Sequence, residues 1–465
     1  MFDRPTIMKF GGTSVEDAQA FARVARIVLA QKEARPVVVV SAMSRVTNGL
    51  LAATEQAAQG DAAGALDAIN EHLARHLKVA EELLKTPSFS VVVSQAIDSA
   101  RAELAELLRS VAAQRMPLAF LQDVIVSYGE RLAAITLAQV LQAHDLPARY
   151  ADARRCIVTN DEHTGATPLA TETVRNTQRE LAPLLEASII PVLGGFIAAT
   201  KDGATTTLGR GGSDYTAALI GAALDAREIQ IWTDVAGVLT ADPRVVPEAR
   251  TIRRLSYSEA AELAYFGAKV LHPKTIQPAV DASIPVRICN SRAPGEAGTI
   301  VTSESESSPH TVKALAHKTG VTLVQIASAR MLGAYGFLHR LFEVFDRHRI
   351  VVDVVTTSEV SVSLSVEDTR GLFAAIKDLE EFGTIKVEER QAIICVVGEG
   401  LRYTPGIAAR IFSAISDINI ALISQGASSI NLTFAVEEES AREVIQRLHQ
   451  SLFEHEKVEE QVTKL

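Results

Sequence analysis

The chain opens on a short apolar stretch, Ile7, Met8 and Phe10, interrupted only by Lys9. It ends in Gly11-Gly12-Thr13-Ser14 and gives way to a helix-like run from Val15 to Ala30. That order predicts a strand, a tight turn and a helix start. Val37 to Val40 is a β-branched run that opens into the polar turn Ser41-Ala42-Met43-Ser44-Arg45, as a buried parallel strand does. From Leu50 to Leu146 the composition shifts to Ala, Leu, Glu and Gln with few glycines, which predicts several helices. Inside it, Asp123 to Tyr128 is β-like and reads as a strand, which would put Glu130 just past a strand end. Ser188 to Leu193, Glu228 to Trp232 and Ile284 to Cys289 read as further strands, alternating with helical segments. Such alternation predicts an α/β domain with a largely parallel sheet and ligand-binding turns at the strands' carboxyl ends. Lys9, Ser41, Glu130, Gly194 and Asp234 all fall at such predicted ends.

Ser303 to Pro309 is polar and aperiodic, reads as a linker, and sets the domain boundary near it. A repeat follows. Gly336-Phe337-Leu338-His339-Arg340-Leu341-Phe342 returns as Gly406-Ile407-Ala408-Ala409-Arg410-Ile411-Phe412, an offset of 70 residues that also relates Ile350 to Ile420. Each copy continues into two β-branched strands and a helix, a βαββα unit, with a further strand expected near Thr384 to Glu388. The second copy has no clear last strand of its own, and the alternation Val312, Ala314, Ala316 is the candidate to supply it, interleaving the two modules.

Composition narrows the classes. The 465 residues suggest roughly three domains, and 47% apolar content is enough for substantial cores. A net charge of −10 with no basic block argues against nucleic-acid binding. Cys156, Cys289 and Cys395 are isolated and show no ligand spacing, which predicts a reduced compartment and no structural zinc. No apolar run reaches membrane-spanning length, and with the first glycine turn so close to Met1 no leader is expected. A cytoplasmic location is expected.

Two turns spend glycine, cation and hydroxyl together: Lys9 to Ser14, and Thr205 to Thr216 with Arg210 among Gly209, Gly211 and Gly212. Each precedes a helix, whose first N–H groups attract anions. A Gly-Gly turn is more often only a turn; two of this composition shift the balance toward a phosphate site. Asp214 can organise a cation or cap the helix expected from Tyr215. The GxxxxGK[ST], protein-kinase and GxGxxG patterns do not occur, so phosphoryl transfer would need another scaffold.

Six ordered segments resemble the signature of the aspartate kinases, members of the amino-acid kinase fold family. They are KFGGTSV from Lys9, VSAMSRVTN from Val40, SYGE from Ser127, TTTLGRGGSDYTA from Thr205, WTDVAGVLTADPR from Trp232 and FGAKVLHP from Phe266. The resemblance implies a three-layer α/β/α kinase domain over residues 1–300 followed by two ferredoxin-like βαββαβ ACT domains, 310–390 and 391–465, the strand near 312–317 being the candidate to interleave with the second. It implies transfer of the γ-phosphoryl of ATP to the β-carboxylate of L-aspartate, a group already ionised at pH 7 that needs no general base. Lys9 would then offset phosphoryl charge with the N–H groups of Gly11 and Gly12, and Asp214 would hold Lys9 in register. Arg210 would clamp the α-carboxylate, Glu130 would accept from the α-ammonium, and Thr47 and Ser213 would complete the aspartate site. Ser41, Thr233, Asp234, Arg244 and Lys269 would meet the nucleotide. Mg²⁺ would be held through the phosphates, with no dedicated carboxylate cage and no protein metal ligands.

The repeat resembles a pair of ACT domains, which implies feedback by a small amino acid. Met331, Ala334, Phe337, Leu338, Asp353, Thr357, Ser358, Glu359 and Val360 would form the effector site. The two acids suit dicationic lysine better than threonine, although Ala334 stands where some lysine-sensitive relatives carry a hydroxyl. The second copy, Ser424 to Asn431, lacks both acids and would pair or transmit, so a homodimer or larger assembly through the ACT domains is expected. No fused homoserine dehydrogenase is expected. Another small-acid kinase of the same fold and a non-catalytic amino-acid sensor stay open as alternatives.

Overall fold

The computed structural model describes residues 4–267, 271, 273–303, 311–426 and 428–454, which divide into two compact units. The first begins with β1 (Thr6–Phe10), α1 (Ala18–Ala30), β2 (Pro36–Val40) and the helices α2 (Val46–Ala58), α3 (Ala62–Leu83), α4 (Pro87–Ala112) and α5 (Leu118–Ala143). Then come β3 (Ala148–Tyr150), β4 (Val158–Thr159), α6 (Ala170–Glu186), β5 (Ile190–Gly194), β6 (Ile197–Thr200), β7 (Thr205–Thr207), α7 (Gly212–Ala223) and β8 (Glu228–Thr233). After β9 (Arg254–Ser256) and α8 (Tyr257–Tyr265), α9 (Pro273–Asp281), β10 (Val286–Asn290) and β11 (Thr299–Thr302) follow.

Among the described residues the main sheet runs β3-β5-β2-β1-β8-β10-β11-β9. From β3 to β10 every neighbouring pair is parallel; β11 pairs antiparallel with β10, and β9 runs parallel to β11. Alternate residues of β1 serve the two faces. Met8 and Phe10 enter the core built with α1 to α5, packed with Phe21, Val24, Leu50 and Leu132. On α7, Gly221 lies so close to Ile229 and Ile7 that a Cβ would come within 2.7 Å of the Ile229 side chain. Helical layers thus cover both faces, and β2 and β8 leave β1 on opposite sides, which opens a crevice at the carboxyl ends of the strands. A small sheet, β4-β6-β7, stands apart from the main one.

Two local expectations change. The helix after the first turn starts at Ala18, where Asp17 accepts from the Ala20 N–H at 2.8 Å, and Gly12 to Val15 form a 3-10 turn before it. Asp123 to Tyr128 is helical, not a strand: it lies within α5, so Glu130 sits on a helix. Eight successive positions from Ile125 to Leu132 include only one that is not buried, Arg131. A helix buried on nearly every side has no polar stripe to reveal its period, and packing overrides the β preference of Val124, Ile125 and Val126. By length and apolarity α5 could cross a membrane, but 83% of its most apolar window is buried inside the protein.

The second unit contains β12 (Val312–Ala327), α10 (Phe337–Arg347), β13 (Val352–Thr357), β14 (Ser361–Val366), α11 (Leu372–Leu379) and β15 (Thr384–Gly398). It ends with α12 (Ile407–Ser413), β16 (Leu422–Gln425), β17 (Asn431–Glu437) and α13 (Ala441–His449). The sheet order is β13-β14-β12-β15-β17-β16, all antiparallel. β12 and β15 are long, and a register shift between Lys318 and Val321 splits their pairing. Thr322 to Ala327 lies between β14 and the start of β15, whereas Val312 to Lys318 pairs with Ile393 to Gly398, beside β17. One core joins Val324, Phe337, Leu341 and Leu364; another joins Leu315, Ile394, Phe434 and Leu448. Leu239–Ile252 and the residues from Ser258 through α8 cluster with this unit, not with the rest of the first 300 residues. The predicted linker lies outside the described residues from 304 onward.

Candidate functional site

At the carboxyl edge of the parallel sheet a cleft of about 390 Å³ is lined from β1, the β2–α2 loop, α5 and the β7–α7 loop. Lys9, Gly12, Ser41, Thr47, Glu130, Arg210, Ser213 and Asp214 all line it, although their sequence positions are far apart. Lys9, the fourth residue of β1, is 9% exposed and its Nζ lies 2.6 Å from Asp214 Oδ1. The helix expected from Tyr215 in fact begins at Gly212 with Gly211 as N-cap, so Asp214 stands in its first turn with its carboxylate committed to Lys9. Gly11 departs from expectation: its N–H donates to the Trp232 carbonyl at 3.0 Å, extending the β1–β8 pairing by one residue, and is not free for a phosphate.

Glu130 is 3% exposed, with Thr47 Oγ1 3.5 Å from its Oε1 and no partner on Oε2. Burial pushes its carboxyl up to about 8, against the opposing pull of the Ala42 backbone and the Thr47 hydroxyl. Glycines on either side make the place: a Cβ at Gly194 would come within 2.9 Å of the Glu130 carbonyl, and one at Gly129 within 2.9 Å of Ala42 Cβ. A buried acid with an open acceptor asks for a cation. Arg210 is exposed, on a loop whose flanking Gly209 and Gly211 have φ of 71° and 73°.

The remaining nucleotide candidates separate. Thr233 and Asp234 lie at the end of β8, the neighbour of β1, with Thr233 Oγ1 donating to Asp234 Oδ1 at 3.2 Å, but neither lines the cleft. Arg244 belongs to the second unit, where its guanidinium grips Asp242 at 2.6 Å. Its neighbours Ala241 and Val246 enter the core of the second module, an apolar packing that the motif around ADPR does not announce. Lys269 lies outside the described residues.

Sequence reasoning missed Arg45, Asn48 and Phe196, which also line the cleft. Arg45 and Phe196 have φ of 72° and 67°, strained values for large side chains that mark functional sites but leave no trace in a sequence.

In the second unit, the predicted effector residues gather around the start of α10 and the β13–β14 turn. Met331 closes a 3-10 turn, Ala334, Leu338, Glu359 and Val360 are exposed, Thr357 ends β13, and Ser358 Oγ bonds Ser361 Oγ at 2.8 Å. Phe337 differs: its ring is 5% exposed and stands edge-on to Phe382 at 5.8 Å, so its side chain belongs to the core. Asp353 accepts from the Tyr265 phenol of α8, with Lys318 Nζ 4.6 Å from the Tyr265 ring centroid. Burial, then the bond to Asp353, holds that phenol well above its usual range. Tyr265 also was not foreseen.

A family model for the amino acid kinases matches residues 4–290, and one for the ACT domain matches residues 394–452. Lysine-sensitive aspartokinase 3 of Escherichia coli (strain K12) is 38% identical over 456 residues, 96% of this chain and 99% of that protein. The crystal structure of E. coli aspartokinase III in complex with aspartate and ADP (R-state) superposes with a TM-score of 0.81 at 38% identity, covering 97% of this chain and 100% of that one. The same enzyme in complex with lysine and aspartate (T-state) gives 0.80 at the same identity and coverage. The chain therefore belongs to the amino acid kinase family and, within it, to the aspartokinases.

Proposed function

We propose that the chain phosphorylates the β-carboxylate of L-aspartate with ATP and that lysine inhibits it. The observation that carries the reaction is the cleft itself: a desolvated Lys9–Asp214 pair at 2.6 Å and a buried, half-satisfied Glu130 share one cavity with Arg210. An oxygen of the ionised β-carboxylate forms the new bond to the γ-phosphorus while the bond to the β,γ-bridging oxygen breaks, and ADP leaves with that electron pair. Lys9 offsets the charge on the transferring group, stronger for being shielded from water, and Asp214 fixes where its ammonium points. Glu130 takes the α-ammonium, assisted by Thr47, and Arg210 takes the α-carboxylate through its planar fork, beside Ser213. Ser41, Thr233 and Asp234 would hold ATP, and Mg²⁺ bound with it would offset the charge of the phosphates.

Lysine, with two cationic groups, suits Asp353 and Glu359 in the second unit. We further propose a homodimer through the first ACT module, which exposes Leu332 by 68%, Tyr335 by 98%, Val351 by 71% and Phe373 by 73%. A cytoplasmic location fits three buried free thiols. The test is product formation from ATP with L-aspartate, L-glutamate and carbamate compared side by side. Turnover with aspartate is expected, and silence with aspartate overturns the reading.

A further inference from the structure

Asp123 is 1% exposed on α5, and its carboxylate gathers two separate loops. Oδ1 accepts from Thr207 Oγ1 at 2.6 Å, Oδ2 accepts from His163 Nδ1 at 2.8 Å, and the Thr164 N–H donates to both at 3.1 and 3.0 Å. Thr164 holds φ of 71°, a costly conformation for a β-branched residue. Thr207 is the last residue of β7, three positions before Arg210. The other two hydroxyls of that strand are tied as well, Thr206 to Thr159 Oγ1 at 2.7 Å and Thr205 to the Arg154 guanidinium at 3.2 Å.

We propose that Asp123 is a positioning residue that sets where Arg210 meets the α-carboxylate. Arg210 stands between glycines, so the loop must be fixed from its root, and the root is Thr207 on Asp123. Asp123 and Glu130 are seven residues apart on one helix, about two turns and about 10 Å of rise, and so share a face. A single rigid element thereby carries the acceptor for the ammonium and the anchor for the carboxylate clamp. The spacing of the two groups that define an α-amino acid is built into α5. The inference rests on Arg210 binding the α-carboxylate as described above.

Steady-state kinetics on the full-length enzyme, with aspartate and ATP varied separately, test it. T207V is expected to raise KM for aspartate about tenfold, the weight of one hydrogen bond to a charged group, while KM for ATP stays put. T207S should restore the wild-type value, and D123N should follow T207V. The preference for L-aspartate over its α-amide should shrink in T207V, whereas a merely destabilised protein loses both substrates alike. An unchanged KM for aspartate in T207V, or equal rises for both substrates that T207S does not rescue, overturns the anchor. R210A separates the two ideas. If it raises KM for aspartate while T207V does not, the anchor alone falls; if R210A has no effect, the clamp falls and the anchor with it.

Discussion

Glu130 concentrates the chemistry of the site in one carboxyl. Burial pushes it up to about 8, so at pH 7 the protonated form prevails. An α-ammonium binds the carboxylate form, so aspartate binding must release that proton. KM for aspartate is therefore expected to fall as pH rises from about 6 to about 8, approaching tenfold per unit, and to level off above. E130Q should raise KM and flatten this profile; a wild-type KM independent of pH in that window would refute the assignment. The stability sign follows from the same shift. The unfolded carboxyl titrates near its ordinary 4.5 and the folded one near 8, so stability from this group is present at low pH and is lost as pH rises through that interval. The thermal midpoint of E130Q should gain on wild type toward alkaline pH. Lys9 offers a sharper test: Lys9→Ala is expected to cut kcat by about a thousandfold, and unchanged turnover would remove Lys9 from the mechanism. Lys9 was legible because a lysine inside an apolar strand demands a reason. The buried state of Glu130 was not, because burial is set by Ala42, Gly194 and their neighbours.

Helix α8 shows how an element gains a role that its own sequence does not state. Its last residue, Tyr265, bonds Asp353, one of the two acids proposed for the effector's cationic groups, with Lys318 above the ring. An amino acid that uses Asp353 would compete with that phenol for the carboxylate. Y265F should then lower the lysine concentration for half-inhibition by about fivefold or more, read from inhibition curves at fixed substrate; no shift would make Tyr265 a bystander. The repeated modules were legible as elements because the offset of 70 residues preserves their apolar pattern. The alternation at Val312, Ala314 and Ala316 already pointed to a strand for the second module. What it could not express is that this strand runs on into the first, and that β15 likewise serves both, since one long strand and two short ones look alike where a bulge divides them. Helix α5 is the opposite case. Its all-round burial erased the period that would have named it a helix.

At the scale of the whole molecule, the residues proposed for catalysis around Lys9 and those proposed for the effector around Asp353 belong to different compact units, so each function is expected to survive damage to the other. Calorimetry on Lys9→Ala should show lysine binding at wild-type affinity, and loss of binding would join the two functions in one site. Phe373→Asp, placed on an exposed apolar residue of the first ACT module, should shift sedimentation toward a monomer if that module pairs the subunits. The sequence by itself determined the alternation of strand and helix, the internal repeat, the glycine turns with Lys9 and Arg210, and the family. All of these are written in short windows where spacing along the chain equals spacing in space. Only the tertiary structure decided which distant residues meet, with Lys9 on Asp214 and Thr207 on Asp123. It alone set Glu130 out of water and gave the segment of Arg244 to the second unit. Those outcomes depend on how far apolar surfaces must close to exclude water, and that is a property of the packed chain rather than of any stretch of it.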